Sequence, residues 1–432
     1  SYLLISLDTM AAAVTAAVEG GAASAYDPCL GPPVDLEELE ALLAGPGTDA
    51  ESYLTLRQLP RVSAENSELV ERHIRSRVPV VIEGADLVKQ AVVDWELDYL
   101  KKRVGDRQMT VFESANGSSF RYCDASRNTL GFRYTPPVRS NDMSLPEFER
   151  ECRRRAESGE RQSLLYMQQS LTGLDELAAD YGTWDWAWVL RIAQENGWGI
   201  PDNNLLLIGM QHARTPCHFD EQENLFTQLK GKKRVIMHPP TDFACLYPFP
   251  VGHPCDRQSM PDILAPDMDQ FPNFAYARGL VADLGPGDVL FIPAYWWHDL
   301  QNLDEFATSL TFWSKQAPTP AVFPLSAASF VAIKRNIEKM LVQDALKPGI
   351  LGPEAAGYER LAHIVQAIRT TLRPQLLSLL GHVLPSEEEC EAFLDALIYG
   401  RFDREGRIYS RPFVESWGIV LPLPPSTTSS EI

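Results

Sequence analysis

Between Leu164 and Trp313 short apolar runs recur, punctuated by Gly, Pro and Asn. Leu164–Met167, Leu205–Met210, Leu225–Leu229, Arg234–Met237, Val289–Ile292 and Ser309–Phe312 have the length and apolar character of strands. Several of the intervals between them are too short for a crossover helix, which argues against a parallel α/β fold and predicts a β-barrel or sandwich. Upstream, Val78-Pro-Val-Val-Ile82, stopped by Glu83-Gly84, predicts a strand, and its proline points to a sheet edge. Trp95–Val104 and Ser144–Glu157 predict helices, the second with a solvated charged face.

After Pro320 the period changes to that of a helix. Phe330, Ile333, Ile337, Met340 and Leu341 share one face, and Leu361, Ile364, Val365, Ile368 and Leu372 another. Ser386 with Glu389 predicts a capping box for a helix ending near Tyr399, where Gly400 supplies the stop. The chain thus divides into an Ala/Gly-rich leader over 1–56 expected to be disordered, a β domain over 57–320, an all-helical region over 321–402 and a tail over 403–432 rich in Pro, Ser and Thr.

Composition narrows the partners. The 432 residues are 45% hydrophobic and 22% charged, enough to bury a sizeable core. A net charge of −19, from 39 Lys and Arg against 58 Asp and Glu, repels a phosphate backbone, so no nucleic-acid partner is expected. The seven cysteines are odd in number and contain no Cys-x-x-Cys pair, which fits reduced thiols in a cytoplasmic or nuclear compartment. No uncharged apolar stretch reaches the roughly 18 residues a membrane helix needs. The first basic residue is Arg57, so no targeting peptide and no membrane association are expected.

One constellation carries chemistry. In His218-Phe219-Asp220 two metal-competent side chains stand at i and i+2, on one face of an extended segment. Among 8 histidines such a triplet arises roughly once by chance, so alone it is as consistent with a turn or core histidine. Further along, Gly285-Pro-Gly-Asp288 leads into Val289–Ile292, Pro293 and Tyr295-Trp-Trp-His298, a strand and bend that deliver a second histidine. Two histidines and one carboxylate on one octahedral face suit an Fe(II) oxygenase, because three positions stay open.

Gly-Asp-x-x-x-x-Pro followed by His resembles the pattern around the distal iron ligand of the JmjC/cupin hydroxylases. Thr215-Pro-Cys-His218-Phe-Asp-Glu-Gln, Leu229-Lys-Gly231, Cys245-Leu-Tyr-Pro, His253-Pro-Cys-Asp-Arg-Gln258 and Phe271-Pro-Asn-Phe274 resemble the asparaginyl-hydroxylase branch, the factor-inhibiting-HIF family. The resemblance covers residues 57 to about 346 and recurs at Gly400-Arg-Phe. It implies a mainly β fold: a double-stranded β-helix, or jelly roll, with flanking helices and a C-terminal all-α dimerisation region. It implies Fe(II) on His218, Asp220 and His298, with 2-oxoglutarate and O₂ as cosubstrates, and hydroxylation of an asparagine in a protein such as an ankyrin repeat.

By the same resemblance Lys233 meets the far carboxylate of 2-oxoglutarate, with Tyr166, Thr215 and Asn224 as polar neighbours and Leu207, Phe226, Thr311 and Trp313 completing the cosubstrate site. By itself a lysine after the Gly231 turn reads as a solvated side chain. Thr311 stands where the family has Asn, which removes an amide. Arg257 and Gln258 match the residues that grip the target, with Tyr122 and Gln168 as further substrate contacts. Cys123 stands where the family has a second Tyr, which puts target preference in question. The helix around Arg335–Leu341 matches an arm that interlocks two subunits; a cap folded on its own barrel is the other reading. Rival functions are hydroxylation of Asp or His, methyl-lysine demethylation, a non-catalytic cupin binding protein, and a zinc or manganese isomerase that would not need Lys233.

Overall fold

The computed structural model describes residues 55–317 except 115–116, 118 and 160–162, then 326–345, 363, 366–382, 386–388, 390–391 and 394. The leader up to residue 54, Glu389 with its capping box, the helix end at Tyr399 and the tail lie outside the described residues.

Two short strands, β1 (Thr55–Gln58) and β2 (Arg61–Ser63), precede the first strand read from the sequence, β3 (Val80–Glu83). β3 is interior, not an edge: it pairs in parallel with β2 and antiparallel with β13 (Val289–Ile292). Pro79 lies just before the strand, so the ladder loses no donor there, and the edge falls to β2. Between them come β4 (Met109–Ser114), β5 (Val138–Met143), β6 (Leu165–Ser170), β7 (Pro201–Asn203), β8 (Leu205–Met210), β9 (Arg214–Phe219), β10 (Gln222–Lys230), β11 (Lys233–His238) and β12 (Arg278–Leu284). After β13 follow β14 (Trp297–Asn302), β15 (Phe306–Leu310) and β16 (Trp313–Lys315).

The strands sort into two sheets. The smaller runs β1-β12-β11-β14-β9, and the larger β2-β3-β13-β10-β15-β8-β6-β4-β5, with β16 beside β10 and β7. From β8 to β15 the chain crosses repeatedly between them, so β8, β10, β13 and β15 face β9, β11, β12 and β14 as the eight-stranded jelly roll. β10 is buried along Glu223–Leu229, the polar Glu223, Asn224, Thr227 and Gln228 as well as the apolar Leu225, Phe226 and Leu229, so neither of its faces meets water. Strands whose polar residues interrupt the pattern, such as β14 with Asp299 and β5 with Arg139 to Asp142, are those the hydrophobic reading did not find.

Helices cover the outer face of the larger sheet: α1 (Ser67–Arg75), α2 (Lys89–Asp94), α3 (Leu97–Val104), α4 (Leu145–Glu157), α5 (Ala178–Tyr181) and α6 (Trp186–Glu195). The Ser144 amide donates to Glu147 at 2.9 Å, a capping box that starts α4 where the sequence placed it. Val70, Ile74, Leu100, Phe148 and Ile192 anchor these helices, each burial contributing about 1.5–3 kcal/mol.

α7 (Ala327–Ala345) bears out the helical period after Pro320, and a π-helical turn over Ile368–Leu372 leads into α8 (Arg373–Leu380). α7 packs against the smaller sheet's outer core through Ala328, Val331 and Ala332. Arg335, 1% exposed, forks onto Asp256 at 2.6 and 2.8 Å, while Lys339 reaches Glu221 at 2.8 Å. The first half of the helical region therefore caps its own barrel.

Candidate metal and cosubstrate site

β9 and β14 are antiparallel neighbours in which His298 sits opposite His218. That register brings together two histidines that the sequence separates, with ring centroids 4.1 Å apart. Asp220, just past the end of β9, completes a group whose ligand atoms lie within 4.8 Å of one another. Each imidazole is oriented by its own strand: Nδ1 of His218 lies 2.9 Å from the Pro216 carbonyl, and Nδ1 of His298 lies 3.0 Å from that of Trp296. A carbonyl cannot donate, so each Nδ1 carries the proton and each Nε2 keeps its lone pair for a metal. Sequence reasoning could not name these acceptors, because a backbone oxygen leaves no signature.

Asp220 is held from two sides, by Arg257 Nη1 at 3.3 Å on Oδ1 and by Trp313 Nε1 at 3.2 Å on Oδ2. Burial alone would raise the pKa of Asp220, but the histidines and Arg257 outweigh it and hold the carboxylate below its ordinary range. Burial, helped by His298, pushes His218 down to about 3, so it is neutral and able to coordinate at physiological pH. Two imidazoles presenting Nε2 and an ionised carboxylate form the donor set of a facial triad, and the site fits a divalent iron.

Lys233 opens β11 on the inner side of the barrel and is 1% exposed. The turn before it requires Gly231, which has φ +63° and presses against the Phe306 carbonyl where a Cβ would lie. Lys233 Nζ donates to the Tyr166 hydroxyl at 3.1 Å and lies 5.2 Å from the Phe226 ring centroid, and among the described residues no carboxylate pairs with it. Burial pushes its ammonium down to about 7. Such a cation asks for an anion, and the hydrogen-bonded row Thr215–Tyr166–Lys233 is a suitable cradle for one end of a dicarboxylate.

The remaining residues divide. Leu207 is buried on β8 and shares a face with Gly209, over which the Tyr166 ring lies. Gln168 shares the face of Tyr166 on β6. The Thr311 hydroxyl instead accepts from Leu205 N at 3.0 Å, and Asn224 Oδ1 accepts from Phe312 N at 3.3 Å; both tie strand ends together. Trp313, expected at the cosubstrate, turns its indole N–H to the metal ligand Asp220. Gln258 bridges to His218 along the backbone, and its Nε2 donates to the carbonyl of the half-exposed Tyr122.

Behind the ligands lies a cluster that the sequence did not disclose. Arg214 forks onto Asp299, the residue after His298, at 2.8, 2.9 and 2.7 Å, and its remaining nitrogen reaches Asp262 at 2.6 Å. The register of β9 and β14 slips between His298 and Leu300, so the ion pair clamps an irregularity beside a ligand.

A model of the cupin-like domain matches residues 66–319, more than half the chain. The chain belongs to the cupin-like domain family. JmjC members of this family generally use Fe(II) and 2-oxoglutarate. The chain is 40% identical over 115 residues to HSPB1-associated protein 1 homolog of Danio rerio, covering 26% of this chain and 25% of that protein. It is 26% identical over 261 residues to lysine-specific demethylase 8 of Xenopus tropicalis, covering 59% and 52%. It is 27% identical over 270 residues to tRNA wybutosine-synthesizing protein 4 of Gibberella zeae, covering 61% and 24%. The match thus spans only about a quarter of the length of the HSPB1-associated relative. Among the described residues no helix is long and apolar enough to cross a membrane.

Proposed function

We propose that the chain is an Fe(II)- and 2-oxoglutarate-dependent dioxygenase acting on a protein side chain, asparagine first. The observation that carries the class is the pairing, inside one barrel, of a His218–Asp220–His298 donor set with a buried Lys233 that no carboxylate among the described residues pairs with. An isomerase or a simple metal cupin would gain nothing from such a lysine. His218, Asp220 and His298 would hold the iron, which with 2-oxoglutarate supplies the activation of O₂. Lys233, Tyr166 and Thr215 would orient the far carboxylate. The barrel walls exclude water from the reacting end.

The preference for an amide is supported by Gln258. Its Nε2 is used on Tyr122, whereas its buried Oε1 has no partner and can accept from the N–H of an asparagine side chain. Arg257, the residue before Gln258, is fixed to the metal ligand Asp220. The decisive experiment is 2-oxoglutarate turnover with an asparagine-containing ankyrin peptide, followed by mass spectrometry for one added oxygen. Turnover with no oxidised asparagine would remove the amide assignment. Gln258→Leu should raise the peptide KM about tenfold, in line with loss of one hydrogen bond that leaves a buried amide unpaired, and leave cosubstrate KM unchanged.

A second reading, demethylation of a methyl-lysine, is favoured by the similarity to lysine-specific demethylase 8 and by a −19 net charge that attracts basic segments. Formaldehyde release from a trimethyl-lysine peptide tests it. The same charge argues against an RNA substrate. A homodimer built from the helices beyond residue 345 belongs to this proposal, and light scattering of the full chain tests it.

A further inference from the structure

Two segments form the rim above Gln258, residues 122–124 and 253–258. A hydrogen bond from the Asp124 amide to the Pro254 carbonyl at 3.0 Å joins them, and Gln258 adds its bond to Tyr122. Each contributes one free cysteine, Cys123 and Cys255, whose thiols hydrogen-bond to each other across the seam. Cys123 is half-buried and Cys255 is 5% exposed, so solvent reaches the pair from the Cys123 side. We propose that Cys123 and Cys255 are a reversible dithiol–disulfide couple, oxidised by peroxide, that staples the rim of the site.

The two sulfurs have different roles. Cys123 receives hydrogen bonds from both the Cys255 thiol and the Tyr134 hydroxyl, which favour its thiolate, although burial keeps it above its ordinary value. Burial pushes Cys255 further, to about 12. Cys123 is therefore the attacking sulfur and Cys255 the resolving one. Cys123 attacks the O–O bond of hydrogen peroxide, forming sulfenic acid as the first water leaves. The Cys255 sulfur then displaces the hydroxyl as a second water and the S–S bond forms. In balance, two thiols lose two protons and two electrons, and one peroxide takes them up to become two waters; a dithiol reductant reverses the couple.

The rim it closes is a substrate entrance only on the hydroxylase reading, so the tests keep the two apart. The full chain is treated with limiting hydrogen peroxide, its remaining thiols are alkylated, and peptides are mapped without reduction. A Cys123–Cys255 linked peptide, lost again with dithiothreitol, is expected. Amide exchange in segments 122–124 and 253–258 should slow at least about threefold in the oxidised protein. Cys255→Ser should accumulate a Cys123 sulfenic acid that dimedone traps, and Cys123→Ser should leave Cys255 reduced, with oxidation at least about tenfold slower. Linkage of Cys123 to another cysteine, its passage to sulfinic acid without linkage, equal oxidation rates in the two variants, or unchanged exchange after linkage overturns the proposal. Reduced protein without cosubstrate turnover counts against the hydroxylase reading alone.

Discussion

The two ends of the proposed site are built on opposite principles. At the metal end every side chain is oriented by its own chain: strand carbonyls hold His218 and His298, and Arg257 and Trp313 hold Asp220. At the other end Lys233 has one phenol and aromatic faces, and no carboxylate among the described residues pairs with it. One end is finished before anything binds. The other is completed by its ligand, so removing residues from the two ends should have opposite effects on the empty protein.

The largest effect belongs to the triad. His218→Ala should lower iron affinity by at least about 10³-fold, measured by metal analysis after dialysis, because two donors cannot define the facial site. Retained stoichiometric iron would sink the ligand assignment. Next comes the clamp behind that end. Arg214→Met leaves Asp299 buried without its cation and should cost about 3–5 kcal/mol of stability in urea melts. The paired Arg214→Met, Asp299→Leu change should recover most of it; no recovery would show that Asp262 or the strand irregularity is what needs Arg214.

Lys233→Met should reduce 2-oxoglutarate affinity about 10–100-fold while the unliganded protein becomes more stable, the reverse of the Arg214 result. A destabilised Lys233→Met protein would break the contrast. The smallest effect is one of pH. Lys233 is held at about 7 by burial, against 10.5 in the unfolded chain, so between these values the unfolded state binds more protons. Its contribution to stability therefore rises from pH 7 to 10.5 and is lost below 7. Tyr166, which faces it, stays protonated throughout, since burial raises its hydroxyl. A bound carboxylate restores the ammonium, so at pH 8 binding should take up a proton, read by calorimetry in buffers of different ionisation enthalpy. At pH 6 the uptake should vanish.

The same contrast explains what could be read from sequence. The His218/Asp220 pair and the turn into His298 were legible because short local patterns carry them, and a β-barrel or sandwich followed from strands such as β8 and β13, whose apolar runs are uninterrupted, while the jelly roll came from the resemblance. Lys233 was legible only through resemblance, since a buried lysine looks like any other lysine. Arg214 and Asp299, 85 residues apart, meet only through the register of β9 and β14. β1, β12 and β14 were missed for a related reason: their pairing partners, rather than their composition, make them strands. Trp313, read from sequence as a wall of the cosubstrate site, donates its indole N–H to Asp220, a contact that no local pattern signals.

Gly209 marks where this architecture has the least room to change. The Asn302 amide and the Tyr166 ring already occupy the space of a Cβ there. Even alanine would push Tyr166 aside and, through its hydroxyl, shift Lys233, the residue proposed to meet the cosubstrate. On the proposed function, adaptation of cosubstrate affinity is thus closed at position 209, so divergence among related chains should accumulate around a glycine that itself stays fixed.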